Sequence, residues 1–143
     1  MIKFRNTIIN KCGTYEKDEL NRVIKIINLN TEISIQYKED GGRIERYTCR
    51  KSGEEYALYE YDNRGHLIHR KNSNLNDEVW YEYNEDGYMI RRRTAAGSDE
   101  IRRPVGKDGK FKVVYYKSSN NKEIWFEYDE EGREIRRTTI YRN

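Results

Sequence analysis

A glycine or asparagine in a turn-like context recurs along this chain at nearly constant spacing: Asn21, Gly41, Gly65, Gly87, Gly109 and Gly132. The intervals are 20, 24, 22, 22 and 23 residues. A period near 22 marks stacked supersecondary units, each too short to bury a core alone. It is the length of one β-hairpin with its connection, so the chain reads as six stacked hairpins centred on those positions. Sixteen-residue segments align without gaps, beginning at Tyr15, Ile35, Tyr59, Tyr81 and Phe126. The fifth unit diverges. It reads RPVGKDGKFKVVYYKS from Arg103, keeping the glycine and losing the isoleucine three residues later. Asn21 stands in a glycine slot, and asparagine tolerates positive φ better than other side chains do.

Counting back from each turn residue reveals strict alternation. Eight before it stand Ile33, Ala57, Val79, Ile101 and Ile124; six before, Tyr15, Ile35, Tyr59, Tyr81 and Phe126; four before, Tyr37, Tyr61, Tyr83, Val105 and Tyr128. Period two with one apolar face is a strand signal, and aromatic and β-branched residues favour that setting. Five before the turn, on the opposite face, come Glu16, Gln36, Glu60, Glu82 and Glu127. Three before it, Asp18, Asp62, Asn84 and Asp129 carry side chains able to accept the N–H two residues on, which forms the turn rather than performing catalysis. Return strands carry Ile24, Ile44, Ile68, Ile90 and Ile135, followed two residues later by Arg46, Arg70, Arg92 and Arg137. Two registers suit these residues. A two-residue loop places the tyrosine four before the glycine opposite that isoleucine; a three-residue loop with a bulge places it opposite Val23, Leu67, Met89 or Phe111.

The expected architecture is all-β: a single domain spanning residues 1–143, an elongated, twisted antiparallel meander of about twelve strands, mostly one layer thick. Apolar residues make up 35% of the chain and charged residues 37%, too little apolar matter for a thick core. Thirteen tyrosines, three phenylalanines and two tryptophans supply the burial that keeps it folded. Residues 1–10 and 138–143 are expected to cap the ends.

The stretches YEYDNRGHLIHR, YEYNEDGYMIRR and FEYDEEGREIRR resemble the tyrosine–aspartate (YD) repeats of the rearrangement-hotspot and teneurin-type families. The match covers residues 59–70, 81–92 and 126–137 closely, and the first two units more loosely. The resemblance implies a hairpin unit. It does not carry over the encapsulating role of those families, because six units are too few to close a shell and their toxin and autoprotease segments have no counterpart here.

No residue set requires a chemistry. His66 and His69 are three apart on a strand and fall on opposite faces, so no metal site is expected. Cys12 and Cys49 occupy non-equivalent positions without a ligand or nucleophile pattern. The glycines belong to turns and form no phosphate-binding motif. The expectation is therefore a non-enzymatic protein with no cofactor, soluble and cytoplasmic, with no leader and no span of about twenty apolar residues.

Two features point to binding. Residues 88 to 117 carry nine basic groups against three acidic ones, a surplus of +6 in a chain of net charge +3. Arg91, Arg92, Arg93, Arg102 and Arg103 bracket a turn there, with Tyr88, Tyr115 and Tyr116 nearby. Trp80 and Trp125, seven before their glycines, lie on the face away from the tyrosines, where they either pack against a terminus such as residues 2–9 or anchor a partner. The partner-binding candidates are Arg91, Arg92, Arg93, Arg102, Arg103, Trp80, Trp125, Tyr88 and Tyr115. The expected role is a bacterial or phage stoichiometric inhibitor, an immunity protein or an anti-CRISPR-type protein, acting on a toxin or a defence nuclease complex. A nucleic-acid-binding protein and a structural fragment of YD shells are the alternatives. Oligomers through sheet edges are compatible with the fold.

Overall fold

A computed structural model of the chain describes residues 6–10, 13–73 and 77–142, with side chains from residue 13 onward. Cys12 and the proposed contact of the tryptophans with residues 2–9 lie outside the side chains described. Among the described residues the chain forms thirteen strands and no helix. They fall in two compact units, residues 1–76 and 77–143. The first holds β1 (Asn6–Asn10), β2 (Gly13–Lys17), β3 (Val23–Ile27), β4 (Thr31–Tyr37), β5 (Arg43–Cys49), β6 (Glu55–Tyr61) and β7 (Leu67–Asn72). The second holds β8 (Asp77–Tyr83), β9 (Met89–Thr94), β10 (Asp99–Val105), β11 (Lys110–Lys117), β12 (Lys122–Tyr128) and β13 (Glu134–Tyr141). Within each unit every strand is antiparallel to the one before it, and the order is linear, without closure into a barrel.

The strand count is one above the expected twelve because residues 6–10 form a further strand. β1 pairs with β2 from Asn6–Lys17 to Asn10–Gly13, and residues 138–141 continue β13, Thr138 facing Trp125.

Five of the six repeat turns share one geometry. In the third, the Gly65 N–H donates to the Asp62 carbonyl (3.1 Å) and the Asp62 N–H to the His66 carbonyl (2.9 Å). This is a three-residue loop closed by a left-handed residue. The φ values are 64° at Asn21, 94° at Gly41, 83° at Gly65, 88° at Gly87 and 80° at Gly132. Asp62 Oδ1 accepts the N–H groups of Arg64 and His66, both at 2.9 Å. Asp18, Asn84 and Asp129 do the same in their loops.

These loops settle the register. Tyr61 faces Leu67, Tyr83 faces Met89 and Tyr128 faces Glu134, each followed at once by a shift. Glu60 next faces His69, so Ile68 is the extra residue of a bulge. Ile24, Ile90 and Ile135 are skipped in the same way. The isoleucines three past the turn residues are thus largely bulge residues, which bend and twist the return strand. Beyond the bulge the arginines face aromatic rings: Arg70 lies opposite Tyr59, Arg92 opposite Tyr81 and Arg137 opposite Phe126. Arg137 places its guanidinium 4.8 Å from the Phe126 ring centre.

Hairpins are stitched to their predecessors by the tyrosine four before the turn. Tyr37 donates its hydroxyl to the Val23 carbonyl at 2.8 Å, and Arg22 covers its ring at 4.4 Å. Arg43 covers Tyr61 at 4.1 Å. Tyr128 donates to the Val113 carbonyl, with Lys112 5.6 Å from its ring. Such contacts contribute about 0.5–1 kcal/mol each where exposed. They matter because little is fully buried: Ala57 at 5% and Val79 at 0% exposure are the buried apolar side chains among the described residues.

No heavy atom beyond the chain neighbours lies within 4 Å of a Cβ placed on Gly65, so a substitution there tests the backbone alone. Gly65→Val is expected to cost about 1–3 kcal/mol through strain at positive φ. Gly65→Asn should cost clearly less, since Asn21 occupies the same slot at 64°. Urea midpoints check this; equal losses in the two variants would contradict the turn assignment.

Candidate partner-binding face

The site lies in the second unit and arises from one irregularity. Cross-strand partners share a face of the sheet. Tyr81 faces Arg92, Arg92 faces Glu100, Glu100 faces Tyr116 and Tyr116 faces Ile124. This row belongs to the tyrosine face. Ile101 is the repeat equivalent of Val79 and Ile124, yet it pairs with Arg91 and with Tyr115, on the other face. The connection before β10 is the cause. Thr94 and Ser98 close a three-residue loop with Gly97 at φ 102°, whereas Asn28 and Thr31 close a two-residue one. One residue of slip turns every side chain over. Strand β10 is therefore inverted relative to the repeat, and a bulge between Ile101 and Arg102 restores the pattern across β11.

Inversion brings an apolar and aromatic row onto the otherwise polar face. Its members are Arg91, Ile101, Tyr115 and Trp125, each directly opposite the next. Trp125 is 48% exposed, and its ring centre lies 4.6 Å from that of Tyr115 at 58°. The adjoining row on the same face runs Trp80, Arg93, Asp99, Lys117 and Glu123. Burial raises the Tyr115 hydroxyl above its ordinary pKa, helped by nearby Glu123 and Asp99.

The basic run does not form one patch. Alternation sends Arg91, Arg93 and Arg103 to the tryptophan face and Arg92 and Arg102 to the tyrosine face. Arg91 grips Asp99 through two bonds, Nε–Oδ1 at 3.0 Å and Nη2–Oδ2 at 2.7 Å. Arg102 donates to Glu100 at 3.0 Å. Arg93 and Arg103 are exposed and, like Lys117, lie in no ion pair among the described residues. Tyr88, 55% exposed, stands apart: it lies in the loop after Gly87 and stacks on Phe111 at 4.7 Å, with ring planes 10° apart.

Of the nine candidates, Arg91, Arg93, Arg103, Trp80, Tyr115 and Trp125 thus share a face. Ile101, Asp99 and Lys117 join them without having been singled out. The signals were the missing isoleucine after Gly109 and Arg103 in an aromatic slot, which together mark a shifted strand. Among the described residues no three His, Cys, Asp or Glu side chains converge as a metal site would require. No described helix is long and apolar enough to cross a membrane. The chain matches no protein-family model and no curated protein.

Arg91's hydrogen bond, above all, holds the Asp99 carboxyl below its ordinary 3.8. A depressed carboxyl contributes stability above its unfolded value and loses that contribution as pH falls through the folded one. Asp99→Asn should therefore be less stable than the native chain near neutral pH, and the gap should narrow below about pH 4. Denaturant midpoints at neutral and acid pH check this; a gap independent of pH would contradict it.

Proposed function

We propose that this protein is a non-enzymatic protein-binding module, a stoichiometric inhibitor of the immunity-protein or anti-CRISPR type, acting in the cytoplasm. The observation that carries this reading is the row Arg91–Ile101–Tyr115–Trp125. A half-exposed tryptophan backed by a tyrosine has no role in the hairpin repeat, and the inverted strand continues its row through Tyr115 to an isoleucine and Arg91. Tryptophan, tyrosine and arginine dominate the energetics of protein interfaces. The partner is a toxin or a defence nuclease complex. The kinship with YD-type hairpins belongs to the same proposal, supported by the Asp/Asn-capped loops and the paired tyrosines.

Affinity purification from cells producing the tagged protein tests this reading. One discrete protein should co-purify in equimolar amount, resist nuclease treatment and be lost with Trp125→Ala. That substitution should leave the far-UV circular dichroism intact and weaken the complex by about 2 kcal/mol or more. Release by nuclease would favour the nucleic-acid alternative, in which Arg93, Arg103 and Lys117 meet phosphates beside a stacking platform. Capture that is indifferent to Trp125 would overturn the assignment of the face.

A further inference from the structure

We infer that the second unit carries a groove for an acidic segment of a partner protein, one presenting a carboxylate beside an aliphatic side chain. The inference rests on the protein-binding reading above and specifies the partner's chemistry. The groove opens where β9 and β10 part. These strands are in register at Arg93–Asp99, Arg92–Glu100 and Arg91–Ile101 only. Residues 102–105 of β10 run on without a partner on that side. Two local causes are visible. Ile90 is the extra residue of the bulge in β9, and a bulge disrupts the ladder around it. Pro104 has no N–H to contribute and is tolerated where a strand lacks a neighbour.

The space so formed measures ≈ 430 Å³, within the range of pockets that accept a ligand or an anchoring side chain. Ile90, Ile101 and Phe111 give it apolar walls, and Arg91, Arg102 and Arg103 supply the charge, with Glu82 also on the lining. Arg91 and Arg102 are committed to Asp99 and Glu100. Arg103 is not. It stands directly opposite Lys112, an arrangement of like charges that costs stability. Lys112 relieves it by donating to the Gly132 carbonyl and lying 5.6 Å from the Tyr128 ring. Arg103 is left exposed beside an apolar cleft, with the geometry to grip a carboxylate by two parallel bonds. A phosphodiester chain would satisfy Arg103 and leave Ile90 and Ile101 without a contact, so the chemistry favours an acidic peptide over nucleic acid. Ile101 also links the groove to Tyr115 and Trp125 through direct pairing, so one segment can engage both.

The test uses three probes on the full chain: the peptide Glu-Glu-Leu-Glu-Glu-Leu, its counterpart with glutamine for glutamate, and oligothymidylate. Fluorescence anisotropy gives affinity, and the isoleucine methyl resonances report position. The acidic peptide should bind and shift the Ile90 and Ile101 methyls while leaving Ile33 unmoved. The glutamine peptide should bind about tenfold more weakly or worse. Arg103→Glu should lose about tenfold in affinity. Lys51→Glu, an exposed change of equal charge in the first unit, should lose little, and both variants should keep their denaturant midpoints. Equal binding of the two peptides, unchanged affinity in Arg103→Glu, or tighter binding of oligothymidylate would each overturn the groove. A co-purified protein that depends on Trp125 alongside a peptide that fails to bind would remove the groove and leave the protein-binding reading standing. Peptide binding without a Trp125-dependent partner would keep the groove and remove the tryptophan row from the binding face.

Discussion

In each unit the described strands follow one another in a single antiparallel sheet, which draws its stability from neighbours within the sheet. Only Ala57 and Val79 among the described side chains are buried, so this fold rests on adjacent residues in rows and on the turns that bring them into line. Each repeat turn supplies a left-handed residue; four of the loops add an Asp or Asn acceptor and a bulge that skips the isoleucine of the return strand. Beyond the bulge, arginine meets an aromatic ring across the strands in three of the hairpins. Individual contacts are worth fractions of a kilocalorie to about one. Their regular repetition does the work that a core does in a layered domain, as stacked repeats generally allow.

The same dependence on register gives the molecule a way to build a site. In a period-two structure, a connection longer by one residue exchanges the faces of everything that follows. The loop closed by Thr94 and Ser98 makes that exchange, and the bulge in the fifth hairpin reverses it within two strands. Between the two events Ile101 stands on the face where the repeat places polar groups, and Arg103 follows on the same face of β10. The aromatic pair Tyr115–Trp125, the bidentate Arg91–Asp99 bond and the cleft beside Pro104 all adjoin this short inverted segment. Divergence of the fifth unit is therefore local, and it coincides with the most distinctive surface of the second unit.

Much of the fold was legible because the chemistry of turns is local. The Asp62 side chain and Gly65 announce the loop between them, and alternation from Ala57 to Tyr61 announces the strand before it. Left open was the choice between two loop lengths, since Tyr61 opposite Leu67 and Tyr61 opposite Ile68 are both good pairs; the bond from Asp62 to His66 decides it. Asn121, at φ 65°, sits in a connecting turn outside the repeat marks and was not recognised. The site was less legible. Arg91, Arg92 and Arg93 are contiguous in sequence, and contiguity hides the fact that a strand deals them to alternate faces. Trp80 and Trp125 were placed correctly away from the tyrosines, but Ile101 follows the repeat in sequence and departs from it in space. That departure depends on the length of the connection just before β10, which the repeat marks do not carry.

The central claim is that strand β10 is inverted, and proton–proton contacts measure this most directly. In a nuclear Overhauser spectrum of the isotope-labelled protein, the Ile101 methyls should show strong cross-peaks to the Tyr115 ring, and the Tyr115 ring to the Trp125 indole. Cross-peaks from Ile101 to the rings of Tyr81 and Tyr116 should be absent. If the Ile101 methyls contact Tyr116 or Tyr81 and not Tyr115, the fifth hairpin follows the repeat like the others, and the row that defines the binding face does not exist.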